Sequence, residues 1–111
     1  MLIPKVVLAV HGGAGIILRS QLTPELEKQY RSELKEAMAR GYAVLTKNVA
    51  STEESTFIAV DAVEAAVRYM EDCPLFNTGK GSVFCNDGKI RMDASIMVCY
   101  TENYCKAGCM N

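Results

Sequence analysis

The amino-acid sequence predicts an incomplete α+β fold, in the order strand, helix, helix, loop and β-hairpin. Two long segments have apolar residues at three- and four-residue steps, which is the period of an amphipathic helix. A β-branched run precedes them, and two apolar runs flank an Asn-Asp-Gly turn after them. The 111 residues suffice for one core, and we expect residues 1–111 to form a single partial domain. Such a small sheet with both helices on one side would leave its other face bare, which indicates a piece of a larger fold.

The first predicted strand covers residues 5–10, whose β-branched and aliphatic side chains suit a buried strand. His11 and the sequence Gly12-Gly13-Ala14-Gly15 end this strand. We expect His11 to hydrogen-bond within a tight glycine turn. Some esterases have a similar oxyanion loop, but their fold requires a Gly-x-Ser-x-Gly nucleophile elbow, which this sequence lacks.

The first predicted helix begins after Thr23, whose hydroxyl can cap it, with Pro24 and Glu25 in the first turn. It ends near Lys47-Asn48. The predicted buried stripe of this helix consists of Leu26, Tyr30, Leu34, Ala37, Gly41 and Leu45.

The second predicted helix follows a polar connector, residues 50–55, in which Ser51 and Glu54 can form a capping box. It runs to about Asp72, because Pro74 disfavours helical geometry in the residue before it. Its predicted apolar stripe consists of Val60, Val63, Val67 and Met70. The small alanines between these residues would allow close packing on a sheet or on a partner helix.

The predicted hairpin joins residues 82–85 to residues 90–100 through Asn86-Asp87-Gly88. An Asn or Asp followed by Gly between two apolar runs is a strong hairpin signal, because both residue types tolerate positive φ.

Composition and charge exclude several classes of protein. A net charge of −1 provides no basic surface for nucleic acid or for an anionic membrane. No run approaches the roughly 18–20 apolar residues of a membrane span, and the N-terminus lacks a signal-peptide layout. Five cysteines are an odd number, so we expect reduced thiols in a cytoplasmic protein. These cysteines are Cys73, Cys85, Cys99, Cys105 and Cys109.

Several motif-like features do not define a ligand site. Gly79-Lys80-Gly81-Ser82 lacks the Ser or Thr that must follow the lysine of a phosphate loop. Leu18 occupies the third glycine position of a dinucleotide fingerprint. The cysteines have no Cys-x-x-Cys spacing and no neighbouring histidine, so a zinc site is not predicted. Asp61 and Asp93 lie in apolar runs, where we expect structural, hydrogen-bonded carboxylates.

Four stretches, taken together and in this order, resemble the N-terminal part of the plant-type asparaginase/isoaspartyl peptidase family of N-terminal-nucleophile hydrolases. They are VHGGAG at 10–15, AVDAVEAAV at 59–67, CPLFNTGKGSVF at 73–84 and MDASIM at 92–97. The resemblance spans about residues 5–97. Glycosylasparaginase and threonine aspartase are relatives that usually depart from the third stretch.

The resemblance implies a precursor that folds as an αββα sandwich and cleaves itself before a threonine. That threonine becomes the N-terminus of a β subunit, where its α-amine, with a pKa near 8, serves as base for its own hydroxyl. The implied reactions are hydrolysis of L-asparagine and of isoaspartyl (β-aspartyl) peptides. Because the nucleophile, the substrate-binding Arg and Asp and the oxyanion groups belong to the β subunit, we expect this α-subunit portion to be inactive alone.

Within this chain the resemblance implies supporting residues. Asn77 corresponds to an asparagine that reaches toward the nucleophile's surroundings, while His11, Gly12, Gly13 and Gly15 correspond to a loop on the active-site side of the sheet. The family's loop after the second helix surrounds a sodium ion with main-chain carbonyls, which are donors suited to hard cations. The corresponding residues are Met70, Glu71, Cys73, Phe76, Thr78 and Lys80. No other cofactor is implied.

Two departures from the family pattern stand out. After Met97 the family usually has Asp-Gly and a short turn, where this chain has the longer stretch 98–105. Lys80 occupies a position that is often apolar, so we expect its ammonium group to point to solvent.

The implied partner is the β subunit of the same precursor, in a homodimer of αβ units that acts on a small-molecule substrate. Neither nucleic acid nor membrane is an expected partner. Two alternatives are a non-enzymatic fragment that acts as a regulatory or dominant-negative partner, and a free-standing small α+β binding module.

Overall fold

The computed structural model describes residues 6–47, 55–101 and 103–110. These residues form two helices and a two-stranded antiparallel sheet, which is a small α+β arrangement. The elements in chain order are α1 (Pro24–Lys47), α2 (Ser55–Asp72), β1 (Ala94–Thr101) and β2 (Tyr104–Met110). None of the described helices is both long and apolar enough to cross a membrane.

Helix α1 begins as predicted. The Leu26 N–H donates to Thr23 Oγ1 at 3.1 Å, and the Glu27 N–H donates to the Thr23 carbonyl at 2.9 Å. An exposed ion pair one turn apart joins Arg31 to Glu27 and contributes about 0.3–0.5 kcal/mol. The predicted capping box of α2, Ser51 with Glu54, lies outside the described residues.

Small residues set the contact between the two helices. A Cβ atom added to Gly41 would lie 2.8 Å from the Ala62 carbonyl oxygen and 3.2 Å from the Ala66 Cβ. Ala62 and Ala66 are themselves buried. The close packing predicted for the alanines of α2 is therefore confirmed, with α1 as the partner helix.

The apolar stripe predicted for α2 is wrong at two positions. Val63 and Val67 are 45% and 42% exposed, while Ala62, Ala66 and Met70 are buried. The face toward α1 is selected by how closely the two backbones approach, and only small side chains permit that distance. The stripe predicted for α1 is confirmed, since all six of its residues are buried or half-buried.

The core lies where the C-terminal end of α2 meets α1. Its buried members are Ala37, Met70, Cys73 and Phe76. The ring of Phe76 packs edge-on against Tyr30 of α1, with a centroid distance of 6.1 Å. This geometry is favourable for two aromatic rings beyond their burial.

A polar cluster joins the helices beside this core. The Tyr69 hydroxyl donates to the Glu33 carboxylate, and the Cys73 thiol lies 3.7 Å from the same oxygen. The Arg40 guanidinium lies over the Tyr69 ring, 4.6 Å from its centroid. The hydrogen bond to Glu33, followed by desolvation and by the Glu33 charge, raises the pKa of Tyr69 to about 12.

The strand predicted at residues 5–10 is not observed over the described residues 6–10. A strand requires a hydrogen-bonded neighbour, and the described part of the chain places none beside this segment. The alternation expected of a strand nevertheless remains. Leu8 and Val10 are half-buried toward the helices, whereas Val7 is 79% exposed and Ala9 is exposed.

The turn predicted at 86–88 is present, but it does not join two paired strands. The Gly88 N–H donates to the Cys85 carbonyl at 2.9 Å, and the Cys85 N–H donates to the Lys89 carbonyl at 2.8 Å. Gly88 has a φ of +73°, in the region that favours glycine. The hairpin predicted here is wrong, because residues 82–85 form no strand and β1 pairs with the residues that follow it.

The observed hairpin consists of β1 and β2. Antiparallel pairing runs from Ala94 opposite Met110 to Thr101 opposite Tyr104, with a register shift just before the turn. The described residues of the stretch that departs from the family pattern, 98–101 and 103–105, therefore lie at the turn end of this hairpin.

Cys99 and Cys105 are opposite each other in the hairpin and form a disulfide. The prediction of reduced thiols is wrong for this pair, because sequence spacing alone does not show which cysteines a turn brings together. The prediction holds for Cys73, Cys85 and Cys109, which are free.

Asp61 and Asp93, which were expected to be structural, hydrogen-bonded carboxylates, are both exposed. Water can hydrate an exposed carboxylate, so neither residue requires a protein partner.

Replacing Gly41 with alanine tests the helix contact. The added Cβ would crowd the Ala62 backbone at a cost of about 1–3 kcal/mol. This cost exceeds the gain in helix propensity of up to about 1 kcal/mol. We therefore expect Gly41→Ala to lower the free energy of unfolding, as measured by urea denaturation. Gly15→Ala, at a position where an added Cβ would have no atom within 4 Å, is the control and should be nearly neutral.

The raised pKa of Tyr69 predicts a loss of stability in alkali. An unfolded tyrosine ionises near pH 10, whereas folded Tyr69 holds its proton to about pH 12. Ionisation therefore favours the unfolded state as the pH rises from about 10 to 12. Melting temperatures of wild type and Tyr69→Phe across this range should converge at high pH. Tyr42→Phe, which alters an exposed tyrosine on α1, should keep the wild-type slope. Equal slopes in all three proteins would contradict the assignment.

Candidate functional site

Residues 73–82, called the 73–82 loop below, fold back onto the end of α2. Helix α2 ends at Asp72 as predicted, since Pro74 has no N–H to donate and constrains the backbone. The Lys80 N–H then donates to the Glu71 carbonyl at 2.8 Å. This bond returns the far end of the loop to the last turn of the helix.

Two glycines allow the main chain of the loop to approach itself. A Cβ on Gly79 would overlap the Glu71 carbonyl oxygen, and a Cβ on Gly81 would overlap the carbonyl oxygens of Pro74 and Phe76. No side chain fits at either position without displacing backbone. The main-chain oxygens of Pro74 and Phe76 therefore approach the Gly81 backbone at the place where any other residue would have its Cβ atom.

Side chains fix the loop at two further points. Phe76 is buried in the core, while Asn77 next to it is exposed. The Ser82 hydroxyl donates to the Asn77 carbonyl at 2.6 Å and lies 3.0 Å from the Met92 sulfur. Asn77 is thus held through its backbone while its amide side chain stays accessible.

Lys80 directs its ammonium group to the surface, where it pairs with Asp72 at 2.7 Å. Both side chains are about two-thirds exposed, so the pair adds little to stability. The hydrogen bond from Lys80, then its charge and a smaller effect of Arg68, lower the pKa of Asp72 below its usual value. The ammonium group of Lys80 therefore points to solvent, as predicted.

The glycine turn after residue 10 has the predicted hydrogen bond. The Gly13 N–H donates to His11 Nδ1 at 3.3 Å. Gly13 has a φ of +127°, which an L side chain rarely adopts. The Gly12 backbone lies against Leu34, whose Cδ2 would be 3.3 Å from an added Cβ.

The glycine turn, α2 and the 73–82 loop line an open cavity of about 300 Å³. Four residues predicted to support the site line it: His11, Gly12, Gly13 and Asn77. Met70, Phe76 and Thr78 of the predicted sodium set also line it, whereas Glu71, Cys73 and Lys80 do not. The exposed Val63 and Val67 form part of the apolar wall.

Several main-chain carbonyls at the end of α2 and in the 73–82 loop keep unused acceptor capacity. The carbonyls of Met70, Glu71 and Cys73 each accept one hydrogen bond within the loop or helix end, from the N–H groups of Cys73, Lys80 and Phe76. A carbonyl oxygen has two lone pairs, so each can still face a hard cation such as sodium. Across the described residues no cluster of three His, Cys, Asp or Glu side chains could hold a metal.

Sequence reasoning missed two contributors to the loop. The Pro74 carbonyl lies beside that of Phe76, and no residue-type pattern marks a main-chain oxygen. Ser82 supplies the hydroxyl that holds Asn77. Its position after a glycine-rich segment was an available signal, since serine there often hydrogen-bonds to nearby backbone.

The chain is similar to one family model and to several known proteins. A family model described as asparaginase matches residues 4–107. The chain is 41% identical over 104 residues to the isoaspartyl peptidase of Salmonella typhimurium, covering 94% of this chain and 30% of that protein. It is 39% identical over 104 residues to the isoaspartyl peptidase of Escherichia coli, covering 94% and 29%. It is 44% identical over 92 residues to the plant-type L-asparaginase of Pyrococcus furiosus, covering 83% and 26%. The chain thus spans less than a third of the length of these relatives.

The glycine at position 81 provides a test of the loop. We expect Gly81→Ala to lower the free energy of unfolding by about 1–3 kcal/mol, because the added Cβ overlaps two main-chain oxygens. Gly108→Ala is the matched control, since that strand glycine has no atom within 4 Å of an added Cβ. Urea denaturation of both variants measures the difference, and equal losses would contradict the described loop geometry.

Proposed function

Because this chain belongs to the plant-type asparaginase/isoaspartyl peptidase family and corresponds to its N-terminal portion, we propose that it is the α-subunit part of a hydrolase acting on L-asparagine and isoaspartyl peptides. The observation that carries the proposal is the shared cavity, where Asn77 of the loop meets His11, Gly12 and Gly13. The names of the relatives, isoaspartyl peptidase and plant-type L-asparaginase, support the choice of substrate class.

The proposed reaction uses a threonine nucleophile from a separate β subunit, formed when the precursor cleaves itself. The α-amine of that threonine accepts the proton of its own hydroxyl. The hydroxyl oxygen attacks the substrate's side-chain carbonyl, expels ammonia or the amine of a shortened peptide, and leaves an aspartyl ester that water hydrolyses. The present chain contributes no group to bond making. Its Asn77 amide borders the site, and Ser82 holds the Asn77 backbone in place.

Exposed apolar side chains support a partner subunit over a free-standing module. Val7, Val83 and Phe84 are 79%, 85% and 71% exposed. Apolar surface left in water is unfavourable by roughly 25 cal/mol per Å², so further protein covering these residues would be stabilising. The proposed cover is the β subunit, and the proposed assembly is a homodimer of αβ units.

We further propose that the 73–82 loop and the end of α2 hold a structural sodium ion. The donors are the main-chain carbonyls of Met70, Glu71, Cys73, Phe76, Thr78 and Lys80. Gly79 and Gly81 support this assignment, since both keep side chains away from the converging oxygens. The ion would fix the loop that carries Asn77 and would take no part in bond making.

The direct test is a chimera in which this chain replaces the matching 104 residues of the Escherichia coli isoaspartyl peptidase. We expect the purified chimera to split into two fragments on a denaturing gel and to release ammonia from asparagine. The 111-residue chain by itself should release none. A chimera that folds by circular dichroism but neither splits nor hydrolyses substrate would overturn the proposal, as would ammonia release by the isolated chain.

A variant of the chimera tests the role of Asn77. We expect Asn77→Ala to lower kcat/KM for asparagine at least tenfold, corresponding to about 1.4 kcal/mol of lost transition-state stabilisation. Asn86→Ala removes an amide from the exposed turn outside the cavity and should leave kcat/KM unchanged. Equal kcat/KM values in the two variants would show that Asn77 does not contribute to the site.

A further inference from the structure

We propose that Cys99 and Cys105 form a reversible, redox-sensitive lock at the turn end of the β1–β2 hairpin. The inference is independent of the proposed hydrolase activity, because neither cysteine lines the cavity at Asn77. It rests on the register of the hairpin, the exposure of the two cysteine residues and the positions of the remaining thiols.

The disulfide lies where the regular ladder ends. Pairing is continuous from Ala94 through Val98 opposite Lys106, and then Cys99 lies opposite Cys105. Beyond this pair the register shifts before Thr101 meets Tyr104. The disulfide therefore closes the turn at the point where backbone pairing becomes irregular.

Reductants in solution can reach this bond. Cys99 and Cys105 are both exposed, and the described residues place no third strand beside the hairpin. Exposed disulfides are the ones that respond to changes in the thiol pool. The lock would thus open in a reducing compartment and close in an oxidising one.

The other cysteines do not compete for the bond within the folded hairpin. Cys109 lies four residues beyond Cys105 on the same strand, which is about 13 Å at the rise of a strand. Cys73 is buried in the helical core, and Cys85 lies at the separate turn before β1. Pairing is therefore confined to Cys99 with Cys105.

Opening the lock is a two-electron reduction by a dithiol. One thiolate of the dithiol attacks a protein sulfur, breaks the S–S bond and forms a mixed disulfide while the other protein sulfur leaves as a thiolate. The second thiol of the dithiol then attacks the mixed disulfide and releases the first protein sulfur. The dithiol ends as a disulfide, and the protein gains two electrons and two protons as two thiols.

Opening releases a short loop at the turn. Weaker contacts remain, because the Tyr100 and Tyr104 rings lie 5.6 Å apart and the Lys106 ammonium lies 5.9 Å from the Tyr104 ring centroid. Closure of a loop of about seven residues by a disulfide suppresses its opening roughly fifty-fold on entropic grounds. Reduction should therefore loosen the turn while the helices stay folded.

The test compares the full chain before and after reduction with dithiothreitol. Alkylation under denaturing conditions should label three cysteines in the unreduced chain and five in the reduced chain. Hydrogen exchange measured by mass spectrometry should accelerate on reduction in peptides covering residues 98–106, by up to roughly fifty-fold. Circular dichroism should show unchanged helix content.

Two variants distinguish an effect of the Cys99–Cys105 disulfide on hydrogen exchange from an effect of reducing any other cysteine. Cys99→Ser with Cys105→Ser should exchange fast under both conditions, whereas Cys109→Ser should respond like the wild type. Five labelled cysteines without reduction, a disulfide mapped to another pair, or equal exchange in the two states would each overturn the proposal.

Discussion

The close approach of α1 and α2 at Gly41 is the contact on which the rest of the structure depends. It brings the last turn of α2 against α1, where Glu33 accepts the hydrogen bond from Tyr69 and the Phe76 ring packs on Tyr30. The start of the 73–82 loop is fixed by these contacts. A bulkier residue at position 41 would separate the helices and would move both the loop and the apolar wall of the cavity.

The 73–82 loop is built mainly from backbone rather than from side-chain chemistry. Lys80 illustrates the separation, since its N–H closes the loop on Glu71 while its ammonium lies outside and pairs with Asp72. Residue identity at such a position can change while the main-chain path stays the same. Glycine is different, because at 79 and 81 any Cβ would overlap carbonyl oxygens.

Local signals in the sequence predicted the local features well. The Thr23 cap, the end of α2 before Pro74 and the His11 turn depend on neighbouring residues, and all three were found.

Features that depend on distant partners were harder to predict. The strand at residues 5–10 failed because pairing needs a neighbour, and the hairpin was assigned to the wrong turn because a favourable turn does not determine which strands pair. The candidate site likewise depends on residues that are distant in sequence. Local patterns did not link His11 with Asn77, and only the resemblance to a family did so; both residues line one cavity in the structure.

The alternating burial of residues 7–10 has a consequence for the order of assembly. Leu8 and Val10 are already directed toward the helices and Val7 and Ala9 toward solvent, although no strand pairs with them in the described part of the chain. A strand that paired with this segment later in folding would find its inward-facing and outward-facing side chains already fixed. A slip of one residue would turn both inner side chains outward. Side-chain packing of residues 7–10 would thus determine the strand register first. Main-chain hydrogen bonds to a neighbouring strand would then form in that register.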